Sequence, residues 1–234
     1  MSRGAFRALR GAPFFFRRAE SYAMNAFLIE YPRDPTDAQS QRISSLAAEC
    51  REFGEVMVTP FRYDLAANSE IFAGMRRFVA EAQRVFVLGF QFPRAQRWTL
   101  ASQGIMLSDA VFVDVREEEF SPEKYGALAY ASCSDVREIS EVCGPRWYPV
   151  LDASRCVNCK ACLNFCLFGV YDTDREERIF VESPDSCRPG CPACARICPR
   201  KAILFPMCEE EAIAGKYDPV EEMADELADE IDRW

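Results

Sequence analysis

The chain has 234 residues, of which 49% are hydrophobic and 28% are charged, a composition typical of a globular protein with one large or two modest domains. It contains no histidine, which excludes Ser-His and Cys-His catalytic pairs, histidine-ligated haem, Rieske centres and 2-His-1-carboxylate iron sites. Twelve cysteines, about 5% of the residues, leave sulfur to carry the chemistry.

The first 23 residues carry five arginines and one acidic residue, and they lack the apolar core of a secretory signal. We interpret residues 1–23 as a basic, disordered extension before a start at Met24, with targeting or partner binding as alternatives. No apolar run is long enough to predict a transmembrane segment. A cytoplasmic location is therefore expected, and in that reducing compartment free thiols indicate metal ligands rather than disulfides.

Four apolar runs alternate with helical periods between residues 24 and 147. The runs are Ala26–Glu30, Glu55–Pro60, Arg84–Phe90 and Ala110–Val115. The helical periods cover Ile43–Phe53, Ile71–Ala82, the region from Trp98 to Met106, and a helix starting at Ser121-Pro122-Glu123. Near-continuous apolar strands joined by helices predict an α/β open parallel sheet domain, Rossmann-like or flavodoxin-like, with right-handed crossovers.

Four arginines fall just after predicted strands, at the sheet edge where ligands of open α/β sheets bind. A possible anion site there would use Arg33, Arg62, Arg94 and Arg97. No glycine-rich phosphate loop and no nucleotide or flavin fingerprint accompanies them, so solvated loop side chains are the simpler interpretation.

The net charge of −9 is concentrated in residues 207–234, which hold eleven acidic and two basic residues. No predicted helix or sheet face concentrates Lys and Arg, so nucleic acid is not an expected partner. From Asp218 onward, apolar residues recur at alternating spacings of four and three: Val220, Ala224, Leu227, Ile231 and Trp234. This pattern predicts an acidic amphipathic C-terminal helix that docks on its own chain or mediates homo-oligomer or partner contacts.

From Trp147 a strand-helix-strand pattern occurs twice, an internal duplication of about 30 residues. Its cysteine runs are Cys156-x2-Cys159-x2-Cys162-x3-Cys166 and Cys187-x3-Cys191-x2-Cys194-x3-Cys198-Pro199. Two-residue gaps let three thiolates converge on one centre, and the fourth cysteine reaches the centre of the other copy. Soft thiolates in fours suit iron–sulfur clusters or zinc; a disulfide framework and a domain that retains one cluster are further alternatives.

Residues from about 147 to 206 closely resemble the bacterial-type ferredoxins with two 4Fe–4S clusters. Pro199 and the turn Phe168-Gly169-Val170 match that family. Two positions depart from it: Leu167 stands where the family has proline, and Cys187 precedes Cys191 by one residue more than the family pattern. A Pro-Gly turn within Arg188-Pro189-Gly190 is expected to loop out the extra residue. The resemblance implies an α+β ferredoxin-like two-cluster domain over residues 148–206. It also implies one cluster on Cys156, Cys159, Cys162 and Cys198, and a second on Cys187, Cys191, Cys194 and Cys166.

The resemblance implies an electron-transfer protein that relays single low-potential electrons through two 4Fe–4S clusters while the α/β domain docks a redox partner. Each oxidised cluster carries about −2, so the loaded chain would favour redox partner proteins with a basic docking patch. The alternatives are an iron–sulfur oxidoreductase, whose α/β domain binds a substrate or organic cofactor, and a structural or sensing metal module. An electron carrier or subunit is expected rather than a stand-alone enzyme, and no catalytic residue is assigned.

Four further cysteines lie outside the motifs: Cys50, expected in the core, and Cys133, Cys143 and Cys208.

Overall fold

The computed structural model describes residues 25–65, 70–127, 136–139 and 144–216. The predicted extension over residues 1–23 and the predicted acidic helix from Asp218 lie outside these described ranges. Within them, no helix has both the length and the apolar character needed to cross a membrane.

The N-terminal part contains a five-stranded parallel sheet. Its strands are β1 (Asn25–Glu30), β2 (Gly54–Thr59), β3 (Arg84–Gly89), β4 (Val111–Asp114) and β5 (Arg137–Glu138), in the order β4-β3-β1-β2-β5. Every pairing is parallel, which confirms the predicted α/β parallel sheet. The order β2-β1-β3-β4 is that of flavodoxin-type sheets, and β5 extends the sheet beside β2.

Three helices connect these strands: α1 (Asp37–Cys50), α2 (Glu70–Ala80) and α3 (Pro93–Ser102). Helix α1 begins with a capping box, because the Thr36 hydroxyl accepts from the Gln39 amide at 3.3 Å and the Gln39 side chain accepts from the Thr36 amide at 2.9 Å. Helix α3 starts earlier than its predicted position near Trp98, with Pro93 in the first turn, where its missing N–H costs nothing.

The predicted helix from Ser121 is wrong within residues 121–127, which form turns. Gly126 has a φ of 71°, and the Ala127 amide donates to Pro122 O at 2.9 Å, so the chain leaves the helical path after a single turn. The Ser121 hydroxyl donates to the Glu123 carboxylate at 2.8 Å instead of capping a backbone amide.

Both faces of the sheet are covered, as the continuous apolar strands predicted. On one face Phe27 and Ile29 pack with Ile43 of α1, and on the other face Ala26 and Leu28 pack with residues of α2 and α3. Phe27 and Phe86 stack on neighbouring strands with ring centroids 4.8 Å apart.

The C-terminal part holds the duplicated elements. Strand β6 (Val150–Leu151) pairs antiparallel with β9 (Ile203–Leu204), and β7 (Tyr171–Thr173) pairs antiparallel with β8 (Ile179–Val181). Two short helices, α4 (Ala161–Phe165) and α5 (Ala193–Ile197), follow the two cysteine loops, and α6 (Glu211–Ala214) follows β9. The two halves share one small core that includes Cys162 and Cys194.

The C-terminal part packs against residues that follow the strands of the parallel sheet. The Tyr63 hydroxyl donates to Tyr148 O at 2.6 Å and accepts from Tyr148 N at 2.7 Å, and the two rings stack with centroids 4.3 Å apart. Arg94 Nε donates to Asp152 Oδ2 at 2.6 Å. These buried contacts join the two parts of the chain.

Replacing Tyr63 with phenylalanine tests this junction. Both hydrogen bonds of the buried hydroxyl would be lost and the Tyr148 amide left without its partner, so we expect Tyr63→Phe to lower the free energy of unfolding by about 1–3 kcal/mol. Urea unfolding followed by tryptophan fluorescence measures the change. Tyr125→Phe, which removes an exposed hydroxyl bound to Glu118, is the matched control. Equal unfolding midpoints for the two variants would contradict the role assigned to Tyr63.

Candidate metal centre

The loop that carries the first three cysteines of the first run passes through two residues with left-handed backbone conformations. Asn158 and Lys160 have φ values of 56° and 60°. The Asn158 side-chain Nδ2 donates to Glu177 O at 2.8 Å, and its side-chain carbonyl accepts from Ile179 N at 2.9 Å, which fixes the loop to the β7–β8 hairpin. Lys160 Nζ donates to Glu177 Oε2 at 2.8 Å. The shape of the loop is therefore maintained by contacts that do not involve sulfur.

The first run encloses a cavity together with the last cysteine of the second run. The cysteines that line it are Cys156, Cys159, Cys162 and Cys198. The rest of the lining is apolar except for two basic side chains: Leu151, Val157, Lys160, Ala161, Ile179, Arg200, Ala202 and Ile203. Cys198 Sγ accepts a hydrogen bond from the Ala202 amide at 3.3 Å. Four soft ligands around one space, with an amide donor at one sulfur, fit an iron–sulfur cluster.

The remaining four cysteines of the two runs form a second group. The thiol of Cys187 interacts electrostatically with those of Cys194, Cys191 and Cys166, and Cys194 also interacts with Cys166. In the same way Cys162 interacts with Cys156 and Cys198, the members of the first group. The eight thiols thus separate into two groups of four, each with three cysteines from one run and one from the other.

The extra residue between Cys187 and Cys191 is absorbed by a turn. The Cys191 amide donates to Arg188 O at 3.1 Å, and Gly190 adopts a φ of 73°, which a residue with a side chain rarely adopts. Cys187 remains half-buried and packs against the apolar core that includes Tyr63 and Tyr148. The second group therefore adjoins the junction with the parallel sheet.

Two aromatic side chains beside the second group were not identified from the sequence as site residues. The Tyr171 hydroxyl donates to Cys194 Sγ at 3.1 Å, and Trp147 Nε1 donates to Cys191 O at 3.2 Å. Burial raises the pKa of Tyr171 far above its ordinary value, so the hydroxyl stays a neutral donor. The available signal was the position of Tyr171, which follows Cys166 by the same interval that separates Ile203 from Cys198.

Burial also raises the pKa of three thiols of the two runs, those of Cys162, Cys187 and Cys194. The pKa of Cys162 rises to about 11 and that of Cys187 to about 12, and the pKa of Cys194 is raised for the same reason. Without a metal these three side chains are protonated at neutral pH. Metal or cluster binding must therefore displace protons from them.

Among the described residues, no three His, Cys, Asp or Glu side chains converge as the ligands of one metal ion do. A 4Fe–4S cluster has a different requirement, because its four cysteine ligands are distributed over four iron atoms around a cube. Cysteines placed around a common space match that requirement.

Comparison with known proteins identifies the family of this segment. Ferredoxin-3 of Nostoc is 33% identical over 73 residues, a match that covers 24% of this chain and 74% of that ferredoxin. The chain belongs to the ferredoxin family. It carries the iron–sulfur, electron-transporting segment typical of that family, as the sequence resemblance predicted. No family model matches the chain.

Two archaeal relatives are also similar to part of this ferredoxin. An uncharacterized ferredoxin of Methanocaldococcus jannaschii is 44% identical over 61 residues, and the pyruvate synthase subunit PorD of Methanothermobacter marburgensis is 40% identical over 55 residues. The chain covers 41% of the first protein and 60% of the second, less than two thirds of either. Each of the three matches covers about a quarter of this ferredoxin.

The four arginines proposed as an anion site each have a partner within this ferredoxin. Arg33 Nε donates to Asp64 Oδ2 at 2.7 Å, and the fully buried Arg62 pairs with Glu30 at 3.1 Å. The remaining two arginines are Arg94, bound to Asp152, and Arg97, stacked over Phe112. Three of the four guanidinium groups therefore neutralise carboxylates of the chain itself.

The cysteines outside the two runs differ in their surroundings. Cys50 is buried in the core under α1, as predicted, and burial raises the pKa of its thiol. Cys208 lies next to the small core of the ferredoxin segment, and its amide donates to Phe205 O at 2.8 Å. Cys133 and Cys143 lie outside the described residues.

Replacing Asn158 with alanine tests whether the anchored loop protects the metal centre. The variant loses both hydrogen bonds to the β7–β8 hairpin and places alanine at a positive φ, so the loop should open more often. We expect cluster loss in the presence of an iron chelator to be several-fold faster, measured as bleaching of the visible absorbance. Asn164→Ala, on an exposed position of α4, should bleach at the unaltered rate. Equal rates for both variants would show that the anchor has no such role.

Proposed function

We propose that this ferredoxin relays single low-potential electrons through two 4Fe–4S clusters. The first cluster would be bound by Cys156, Cys159, Cys162 and Cys198, and the second by Cys187, Cys191, Cys194 and Cys166. The observation that supports the proposal most is the cavity that Cys156, Cys159 and Cys162 line together with Cys198 of the other run.

The chemistry of such a centre is outer-sphere electron transfer. A cluster with four protein thiolates accepts one electron without an open coordination position for a substrate. The protein contributes the ligands, hydrogen bonds to their sulfurs and partial exclusion of water, all of which tune the potential. Amide and hydroxyl donors at Cys198 and Cys194 support this role.

The remaining domains have proposed roles of their own. Residues 24–147 would form the domain that docks a redox partner protein, residues 148–206 the cluster domain, and residues 207–234 an acidic segment for homo-oligomer or partner contact. Two clusters of about −2 each would make the charge of −9 more negative, which favours a partner with a basic docking patch. The relative named as a pyruvate synthase subunit supports a place beside a larger redox enzyme.

A second candidate function is an iron–sulfur oxidoreductase whose α/β domain holds a substrate or organic cofactor. One observation favours it: Arg62, Gln91, Gln96 and Thr99 have buried side-chain polar atoms without hydrogen-bond partners in the described ranges. They lie after strands β2 and β3 and on α3, near the sheet edge where such ligands bind. Co-purification of a flavin or another chromophore would favour this candidate over the relay.

Anaerobic purification followed by iron, sulfide and zinc analysis tests the two-cluster proposal. We expect about eight irons and eight sulfides per chain, and an EPR spectrum after dithionite reduction with signals from two interacting clusters. Cys162→Ser should leave about half of the iron, whereas Cys208→Ser, outside both sets, should retain all of it. Zinc without sulfide in the unaltered protein would overturn the electron-relay proposal.

The irregular spacing after Cys187 calls for a separate test of that ligand. Cys187→Ser should remove only the second cluster and leave about four irons, because its thiol belongs with those of Cys191 and Cys194. Iron analysis beside Cys208→Ser gives the comparison. Loss of iron in Cys208→Ser with full retention in Cys187→Ser would exchange the assignment of the two residues.

A further inference from the structure

The two halves of the ferredoxin segment give their ligand sulfurs similar surroundings. The Leu163 backbone hydrogen-bonds to Cys162 in the first half, and the Ala195 backbone hydrogen-bonds to Cys194 in the second. Strands β7 and β9 then follow the last cysteine of each run at the same interval, which brings Tyr171 and Ile203 to equivalent positions.

The equivalent positions differ in chemistry. The Tyr171 hydroxyl donates to Cys194 Sγ at 3.1 Å from a side chain that is 5% exposed. Ile203, which is 3% exposed, lines the cavity of the first set with hydrocarbon alone. In the first set, Cys198 accepts from the Ala202 amide, a main-chain bond that exchanging a side chain does not remove. Only the second set therefore receives a side-chain hydroxyl at a ligand sulfur from this position of the repeat.

A hydroxyl donor at a ligand sulfur favours the reduced cluster over the oxidised one. Reduction adds one negative charge to the cluster and its sulfurs, and a hydrogen bond to a charged acceptor strengthens as the charge on the acceptor grows. Hydrogen bonds to the sulfurs are among the factors that set cluster potentials. Tyr171 is buried, so replacing it with phenylalanine removes the hydrogen bond to the sulfur without giving water access to take its place.

We propose that Tyr171 is a positioning residue whose hydroxyl raises the reduction potential of the second cluster. This inference rests on the proposed two-cluster function. Cys187 of the same set packs against the core formed with Tyr63 and Tyr148, so the stabilised cluster is the one beside the α/β domain. When the two clusters hold one electron between them, Tyr171 thereby favours its location on the second cluster, which faces that domain.

Tyr171→Phe is the direct test, with Tyr125→Phe as the matched control. Redox titrations monitored by EPR should show the equilibrium constant for reduction of the second cluster falling roughly tenfold, or about 59 mV for one electron. The first cluster and the control variant should keep their potentials. Introducing Tyr171→Phe into a Cys159→Ala chain, which lacks a ligand of the first cluster, assigns the changed potential to the second cluster.

The iron analysis separates the failure of this inference from the failure of the proposed function. An unaltered chain without about eight irons defeats the two-cluster function before any potential is compared. Full iron content with unchanged potentials in Tyr171→Phe overturns the role of Tyr171.

If Tyr171→Phe does not retain its clusters, 3-fluorotyrosine at position 171 provides the deciding measurement. Fluorination makes the hydroxyl a stronger donor at almost the same volume, so the potential of the second cluster should rise. An unchanged potential would overturn the proposal.

Discussion

A sulfur supplied across the internal repeat is the constraint on which the C-terminal architecture depends. Cys198 lines the same cavity as Cys156, Cys159 and Cys162, although it belongs to the other cysteine run. The chain must therefore fold both copies together before either set of four is complete. The antiparallel β6–β9 pair and the shared core around Cys162 and Cys194 provide that coupling. Binding of a metal centre by such a set would stabilise the fold of the surrounding segment.

The same segment also covers part of the sheet edge where an α/β domain binds its ligands. Tyr63 and Tyr148 exchange two hydrogen bonds there, and Arg94 pairs with Asp152. At this edge an isolated α/β domain would present arginines to an anion. In this chain, three of the four arginines pair with carboxylates of the chain itself. The second group of cysteines adjoins this junction, because Cys187 packs against the core that includes Tyr63 and Tyr148.

The sequence predicted the features that depend on local pattern. The apolar runs predicted strands β1 to β4, and the cysteine motifs predicted the ferredoxin family. Strand β5 was missed because it contains only Arg137 and Glu138, both exposed, and has no apolar pattern. The helix predicted at Ser121 failed because the proline signal was followed by Gly126, which ends the turn.

Contacts between distant side chains could not be predicted from spacing alone. The pairing of Arg33 with Asp64 and the approach of Tyr171 to Cys194 depend on how the parts pack.

The proposed ligand sets, in which each run supplies one cysteine to the other, can be tested most directly by comparing the EPR spectra of reduced Cys198→Ala and Cys159→Ala. We expect both variants to lose the first cluster and to show the same remaining signal, although the two cysteines belong to different runs. Loss of different clusters in the two variants would contradict these sets.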